Sequence, residues 1–360
     1  MRVTVTAWIG SVNAGDELIF AALRDKLLAR GTHVTAISTR PAAGRDTGVT
    51  DVGHLAPAAV LGAIRSSDAL IFGGGGLLQD RTSPFNLPYH LSRLAVARAT
   101  GTPRAVIGVG AGPLRTTVGR AQVRAALRGT TAVSVRDRGS VEVLRRTGVR
   151  DVRLAADLAL SLPAPSAAAE DRICACLRPW RPTQGRLPAG TRSRRDVTAP
   201  AMVDRLARGL DDAARRLGLP VRLVAMQPGW DDLLHARVAE RMHADVSLVS
   251  PPTERVLDVI AASRVVVAMR YHAAIGAVLA GRPATLIGYD GKLVGIAEAM
   301  GPAARLLEWA PADLNLLGAA TAGVADEGAD LPGVLADLRM RERVNDTVLD
   351  DVLDVAEARR

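Results

Sequence analysis

The sequence predicts an α/β protein built from two Rossmann-like domains with parallel sheets that face each other across a cleft. Three observations lead there. Through the first half, short apolar, β-branched runs alternate with helical patterns, as in a parallel sheet covered on both faces. A Pro/Ala/Ser stretch, Pro163–Ala169, then breaks the rhythm, which restarts at Ile173. The length, 360 residues, is too great for one ordinary core.

The elements follow in order. Val3–Ile9 is a strand, and a Gly/Asn/Asp loop leads from it into the apolar run Leu18–Leu27. Val34–Ser38 is the next strand. Ala69–Phe72 runs into the loop Gly73–Gly76, and Ala105–Val109 runs into Gly110–Pro113. Ala132–Val135 ends at Arg136-Asp137, and Val152–Ala155 precedes Asp157. Beyond the break come Ile173–Leu177, a helix through Met202–Leu217 and the strand Val221–Met226. Val246–Leu248, Val265–Met269 and Ala284–Ile287 are shorter strands. The expected units are 1–165, 170–310 and a helical segment, 311–360, whose last helix crosses back to the first domain. Arg178–Arg195, rich in Pro, Gly and Arg, reads as a loop.

Composition narrows the function classes. An apolar fraction of 48% excludes a disordered chain, and no apolar run reaches the roughly 18–20 residues of a membrane helix. No signal-peptide pattern precedes the first strand, so the expected compartment is the cytoplasm. Cys174 and Cys176 share one strand face and are poorly placed to bridge each other. The net charge is +9, but the arginines are spread along the chain and aromatics make up only 3%, so nucleic acid is not an expected partner. Attraction to anionic lipid headgroups remains compatible with this charge. Lysine occurs only at Lys26 and Lys292.

In open parallel sheets, ligands bind beyond the carboxyl ends of the strands, and four strand exits carry chemistry. The first is Gly10–Glu17, small and polar, where Asp16 serves equally well as ligand or as helix cap. Its spacing lacks the dinucleotide fingerprint. The second follows the four glycines: Gln79, Asp80, Thr82 and Ser83 supply the donors and acceptors that read sugar hydroxyls. The third places Arg136 at a buried strand end, where its planar fork suits a carboxylate or phosphate. The fourth is Arg270-Tyr271-His272 before a small-residue helix, with Gly288–Lys292 downstream; on an extended exit Arg270 and His272 point the same way. A histidine beside an arginine in this setting is a proton carrier. No metal-ligand spacing, nucleophile elbow or P-loop occurs.

Together these segments resemble the polysaccharide pyruvyl transferase family, most closely its CsaB-type branch. The strings that carry the resemblance are NAGDE (Asn13–Glu17), GGGGLLQDRTS (Gly73–Ser83), GVGAGPL (Gly108–Leu114) and VRDRGS (Val135–Ser140). AADLAL (Ala155–Leu160), MRYHA (Met269–Ala273) and GYDGK (Gly288–Lys292) complete the ordered set. The chain departs from the family at Gly291, where proline is usual, at Val109, where glutamine is common, and at His90, where a paired tyrosine stands.

The resemblance implies a fold like the two-domain GT-B glycosyltransferases and transfer of pyruvate from phosphoenolpyruvate onto a sugar as a cyclic ketal, with no cofactor. It implies His272 as general acid/base, and Arg136, Arg270, Lys292 and Tyr289 on the donor. Asn13, Asp16, Gln79, Asp80 and Ser83 would face the acceptor. The branch implies N-acetylmannosamine of a lipid-linked secondary cell-wall polysaccharide precursor at the inner membrane face, where the ketal anchors surface-layer proteins. Two rivals are kept: a GT-B glycosyltransferase using a nucleotide sugar, and a non-catalytic glycan- or nucleotide-binding protein.

Overall fold

A computed structural model describes residues 1–41, 48–81, 85–168, 170–180, 198–289 and 291–360. The first sheet comprises β1 (Arg2–Ile9), β2 (His33–Ser38), β3 (Val49–Gly53), β4 (Ala69–Leu78), β5 (Arg104–Ala111), β6 (Val133–Val135) and β7 (Arg153–Leu154). The second comprises β8 (Ile173–Cys176), β9 (Val221–Val224), β10 (Val246–Val249), β11 (Val265–Ala268), β12 (Ala284–Gly288) and β13 (Ala304–Glu308). Their orders are β3-β2-β1-β4-β5-β6-β7 and β10-β9-β8-β11-β12-β13, and the paired strands are parallel. Each sheet is doubly wound, with the order reversing between β1 and β4 and between β8 and β11. The central strands are apolar on both faces because helices cover both faces.

β4 corrects the expected loop at Gly73–Gly76, since the strand continues through the glycines to Leu78. Gly74 and Gly75 have φ of +67° and +76°, and a Cβ on Gly74 would collide with Ile19 of the helix Ala14–Leu28. The glycines thus keep a strand against a helix, where bare backbone is the only fit. β3 and β13 went unread because both are sheet edges with exposed or half-exposed positions and no continuous apolar run. Cys174 and Cys176 are free and buried, with sulfurs 3.9 Å apart, as their shared face implied.

The last helix, Val344–Glu357, does cross back to the first domain. Arg30 binds Asp346 and Asp350, and Arg153 binds Asp351. Buried Asn345 accepts from Ser134 Oγ at 2.7 Å and donates to Ala156 O at 3.0 Å. One C-terminal side chain therefore braces the strand before Arg136 and the segment before Asp157. Among the described residues, no helix is long and apolar enough to cross a membrane.

Candidate active site

The loops leaving the two switch points meet across the cleft. β1 leads to Asn13 and the helix Ala14–Leu28, whose first turn Asn13 caps by accepting from Gly15 N. β11 leads to Arg270 and the helix Tyr271–Leu279, and β12 leads towards the helix Lys292–Met300. Asn13, Asp16, Arg136, Arg270, His272 and Lys292 all line one cavity of about 90 Å³, with Arg178 and Tyr289 at its side. A backbone hydrogen bond from Ala14 N to Met226 O (2.8 Å) joins the domains beside it.

Glycines of the first domain make the fit possible. A Cβ on Gly15 would collide with the His272 ring, and one on Gly76 would lie 2.8 Å from Lys292 Nζ. One on Gly110 would lie 3.0 Å from Arg136 Nε. Three helix N-termini also converge, and their partial positive charges favour an anion.

Arg136 is buried. Its Nη1 donates to Asp157 Oδ2 at 3.1 Å, Nε lies 3.5 Å from Asp137 Oδ2, and the guanidinium carbon sits 4.1 Å from the Tyr271 ring centroid. Burial opposes the charge, but Tyr271, Asp157 and Asp137 outweigh it and hold the guanidinium ionised. Its Nε is buried with no hydrogen-bond partner among the described residues. Arg270 donates to Asp231 through Nε (3.1 Å) and Nη2, and to Gln227 Oε1 at 3.1 Å. This revises the expected extended exit. A helix begins at Tyr271, so Arg270 turns to Asp231 while His272 turns to the first domain.

His272 Nε2 stands 3.5 Å from Asp157 Oδ2 and, among the described residues, has no hydrogen-bond partner. Two carboxyls of the first domain thus bear on it, and their environments diverge. Burial raises the Asp157 carboxyl, but His272 and Arg136 prevail and hold it at about 2. Burial also raises Asp16, and there it wins against His272, the Asn13 hydrogen bond (2.6 Å), Lys292 and Arg270. Carboxyls driven apart in this way divide the work of acid and anion.

The remaining expected residues fare differently. Gln79 lines an adjoining cavity of about 370 Å³ with Lys292 and residues Gly110–Pro113 at the end of β5, and its Oε1 accepts from Arg81 N. Asp80 lies outside the small cavity. Its carboxylate accepts from Arg115 N, Thr116 N and Thr116 Oγ1, which hold it low despite burial, so it ties a loop. Tyr289 packs on Trp180 and accepts from Arg178 Nη1 at 2.7 Å. Ser83, Thr82, Asp290 and residues 181–195 of the Arg-rich loop lie outside the described residues.

Three residues were missed. Asp157 follows a recognised strand, but its partners stand at positions 136 and 272, so sequence neighbours did not reveal its role. Asp231 and Arg178 likewise acquire their roles only through distant partners, Arg270 and Tyr289. Among the described residues, no three His, Cys, Asp or Glu side chains are grouped to hold a metal ion.

Two doubly wound domains, with a cation-lined pocket where their switch points face each other, define the GT-B-like class of fold. Within that class the chain belongs to the polysaccharide pyruvyl transferase family, whose sequence model matches residues 13–291. It is therefore an enzyme of pyruvyl transfer to polysaccharide. No curated protein matches the chain. Among solved structures, the UDP-GlcNAc 2-epimerase of Methanocaldococcus jannaschii has a TM-score of 0.62 at 9% identity, covering 97% of this chain and 99% of that one. The UDP-GlcNAc 2-epimerase of Neisseria meningitidis, bound to UDP-GlcNAc, has a TM-score of 0.56 at 11% identity, covering 98% and 100%. A glycosyltransferase involved in avilamycin A biosynthesis has a TM-score of 0.55 at 14% identity, covering 99% and 98%. At these identities the likeness is one of fold.

Proposed function

We propose that the donor is phosphoenolpyruvate and that the product is a cyclic pyruvate ketal on a sugar, with N-acetylmannosamine of a lipid-linked cell-wall precursor as the acceptor implied by the CsaB-type strings. The observation that carries the donor reading is the convergence of Arg136, Arg270 and Lys292 around His272 in a cavity of about 90 Å³. Three cations in one small pocket match the phosphate and the carboxylate of this donor. The larger cavity beside Gln79 and Lys292 offers room for the sugar.

The chemistry divides among these groups. C3 of the donor takes a proton, which makes C2 electrophilic. One sugar hydroxyl adds to C2; a second displaces the phosphate. The two hydroxyl protons balance the one delivered to C3 and the one carried off on phosphate. His272 moves protons, with Asp16 rather than Asp80 as the second proton carrier. Arg136, Arg270 and Lys292 hold the carboxylate and stabilise the departing phosphate. The reaction needs no cofactor, and a cytoplasmic site at the inner membrane face fits such an acceptor.

The test is phosphate release from phosphoenolpyruvate with and without an N-acetylmannosaminyl acceptor, with mass-spectrometric detection of the ketal. Acceptor-dependent release with ketal formation supports the proposal. Release that requires a nucleotide sugar instead supports the glycosyltransferase, and ligand binding without turnover supports the binding protein.

A further inference from the structure

The acid/base histidine and its nearest carboxylate come from opposite domains. His272 stands in the first turn of a second-domain helix, whereas Asp157 follows β7 of the first domain, fully buried. Asp157 is already fixed without the histidine. It accepts from Arg136 Nη1 at 3.1 Å and, through Oδ1, from Ala159 N at 3.1 Å, and Asn345 braces the preceding Ala156. His272 has no such anchor. Its Nε2 is buried and, among the described residues, lacks a hydrogen bond, at 3.5 Å from Asp157 Oδ2, while Nδ1 lies against the backbone of Gly15 beside Asp16. Catalytic contacts of this length tighten to hydrogen bonds in the Michaelis complex.

We propose that Asp157 is a positioning residue for the reaction: from the opposite domain it accepts the Nε2 proton of His272 and so fixes the tautomer and the orientation of the ring. The acid/base machinery is then complete only when the two domains are apposed. Arg136 shares the same carboxylate, so the donor-binding cation and the proton carrier are set by one group. The inference rests on the pyruvyl-transfer reading for its kinetic test, but its spectroscopic test does not.

The experiment compares wild type with Asp157→Asn, which keeps shape and removes charge, and with Asp157→Ala. Nitrogen-15 spectra of His272, assigned with His272→Ala, should show the Nε2–H tautomer in wild type and a mixture in Asp157→Asn. In phosphate-release kinetics, Asp157→Asn should lose about 100-fold or more in kcat, a larger effect than the rise in KM for phosphoenolpyruvate that follows from its shared contact with Arg136. Added formate should restore turnover to Asp157→Ala but not to His272→Ala, which a purely structural role for Asp157 would not produce. An unchanged His272 spectrum in Asp157→Asn, or a kcat within about threefold of wild type, overturns the proposal. If wild type turns over no phosphoenolpyruvate with any acceptor, the donor reading fails, and the tautomer spectrum alone decides the role of Asp157.

Discussion

Gly76 and Lys292 meet across the domain interface so closely that a Cβ on Gly76 would lie 2.8 Å from Lys292 Nζ. The obstructed atom is the end of a flexible side chain, so Gly76→Ala displaces the ammonium without forcing the strand to move. The variant should fold, with a melting temperature within a few degrees of wild type, and lose about 100-fold in kcat, because an ångström of misplacement at a reacting group costs about that much. Lys292→Arg should also impair turnover, since a wide guanidinium fork does not replace a compact ammonium in this space. Wild-type kinetics in either variant would remove Lys292 from the reaction.

Gly15 provides a sharper case. The Cβ of Gly15→Ala would strike the His272 ring, whose neighbours on the other side include fully buried Asp157. Turnover should fall at least as far as in Gly76→Ala. Gly62→Ala is the control, because nothing lies within 4 Å of a Cβ on that helical position. It should leave kcat unchanged and stabilise the fold by about 0.4–1 kcal/mol, measured by urea denaturation.

Asp16 should trade stability for activity. Burial raises its carboxyl in the folded state, so the native protein binds a proton more tightly than the unfolded chain does. Its contribution is therefore most favourable below the ordinary value of 3.8 and is lost as pH rises through the higher folded-state value. At neutral pH the ionised group works against folding. Asp16→Asn keeps an oxygen for Asn13 Nδ2, removes the charge, and should raise the melting temperature while lowering kcat. A lower melting temperature with full activity would contradict both halves.

What could be read from the sequence is what local pattern encodes. β1, β5 and β11 are short β-branched runs, and Arg136, Arg270 and His272 sit directly at strand ends, so fold class and the cationic exits were visible. Strands β3 and β13 were not, because polar residues such as Asp51 and Arg305 interrupt their short apolar patterns. Asp80 looked like a ligand beside Gln79, yet its three donors come from Arg115 and Thr116, far along the chain. Asp157 and Asp231 illustrate the converse, because their chemistry depends on partners supplied by the fold.

His90 makes the fold acid-sensitive. It is buried against the edges of Trp8, Tyr89 and Phe72, and burial together with Arg93 lowers its folded-state value from 6.5 to about 3. The unfolded chain takes up a proton that the native one refuses. The contribution is therefore fully present above 6.5 and lost as pH falls towards 3, amounting to roughly 3–5 kcal/mol at the acid end. His90→Phe removes the titrating group from an aromatic nest. Its urea midpoint should decline less than that of wild type between these limits, and parallel declines would show that His90 is not the source.

Lys26 is the other lysine, and nothing in its local sequence calls for a lysine in place of an arginine. Its ammonium lies 3.1 Å from Glu342 and 2.9 Å from Asp346, joining the first helix to the C-terminal helices. Glu342 is buried; burial pushes its carboxyl up, and Lys26 is the first of the groups that pull it down. Lys26→Met should therefore cost about 3 kcal/mol at neutral pH, the price of leaving a buried charge uncompensated. The loss should shrink as pH falls, because a protonated Glu342 tolerates burial. Lys26→Arg keeps the charge and should retain both stability and turnover, in contrast to Lys292→Arg. Urea midpoints of the Lys26 variants at neutral and mildly acidic pH test this, and a Lys26→Met deficit that does not change with pH would place the cost in lost packing instead of in Glu342.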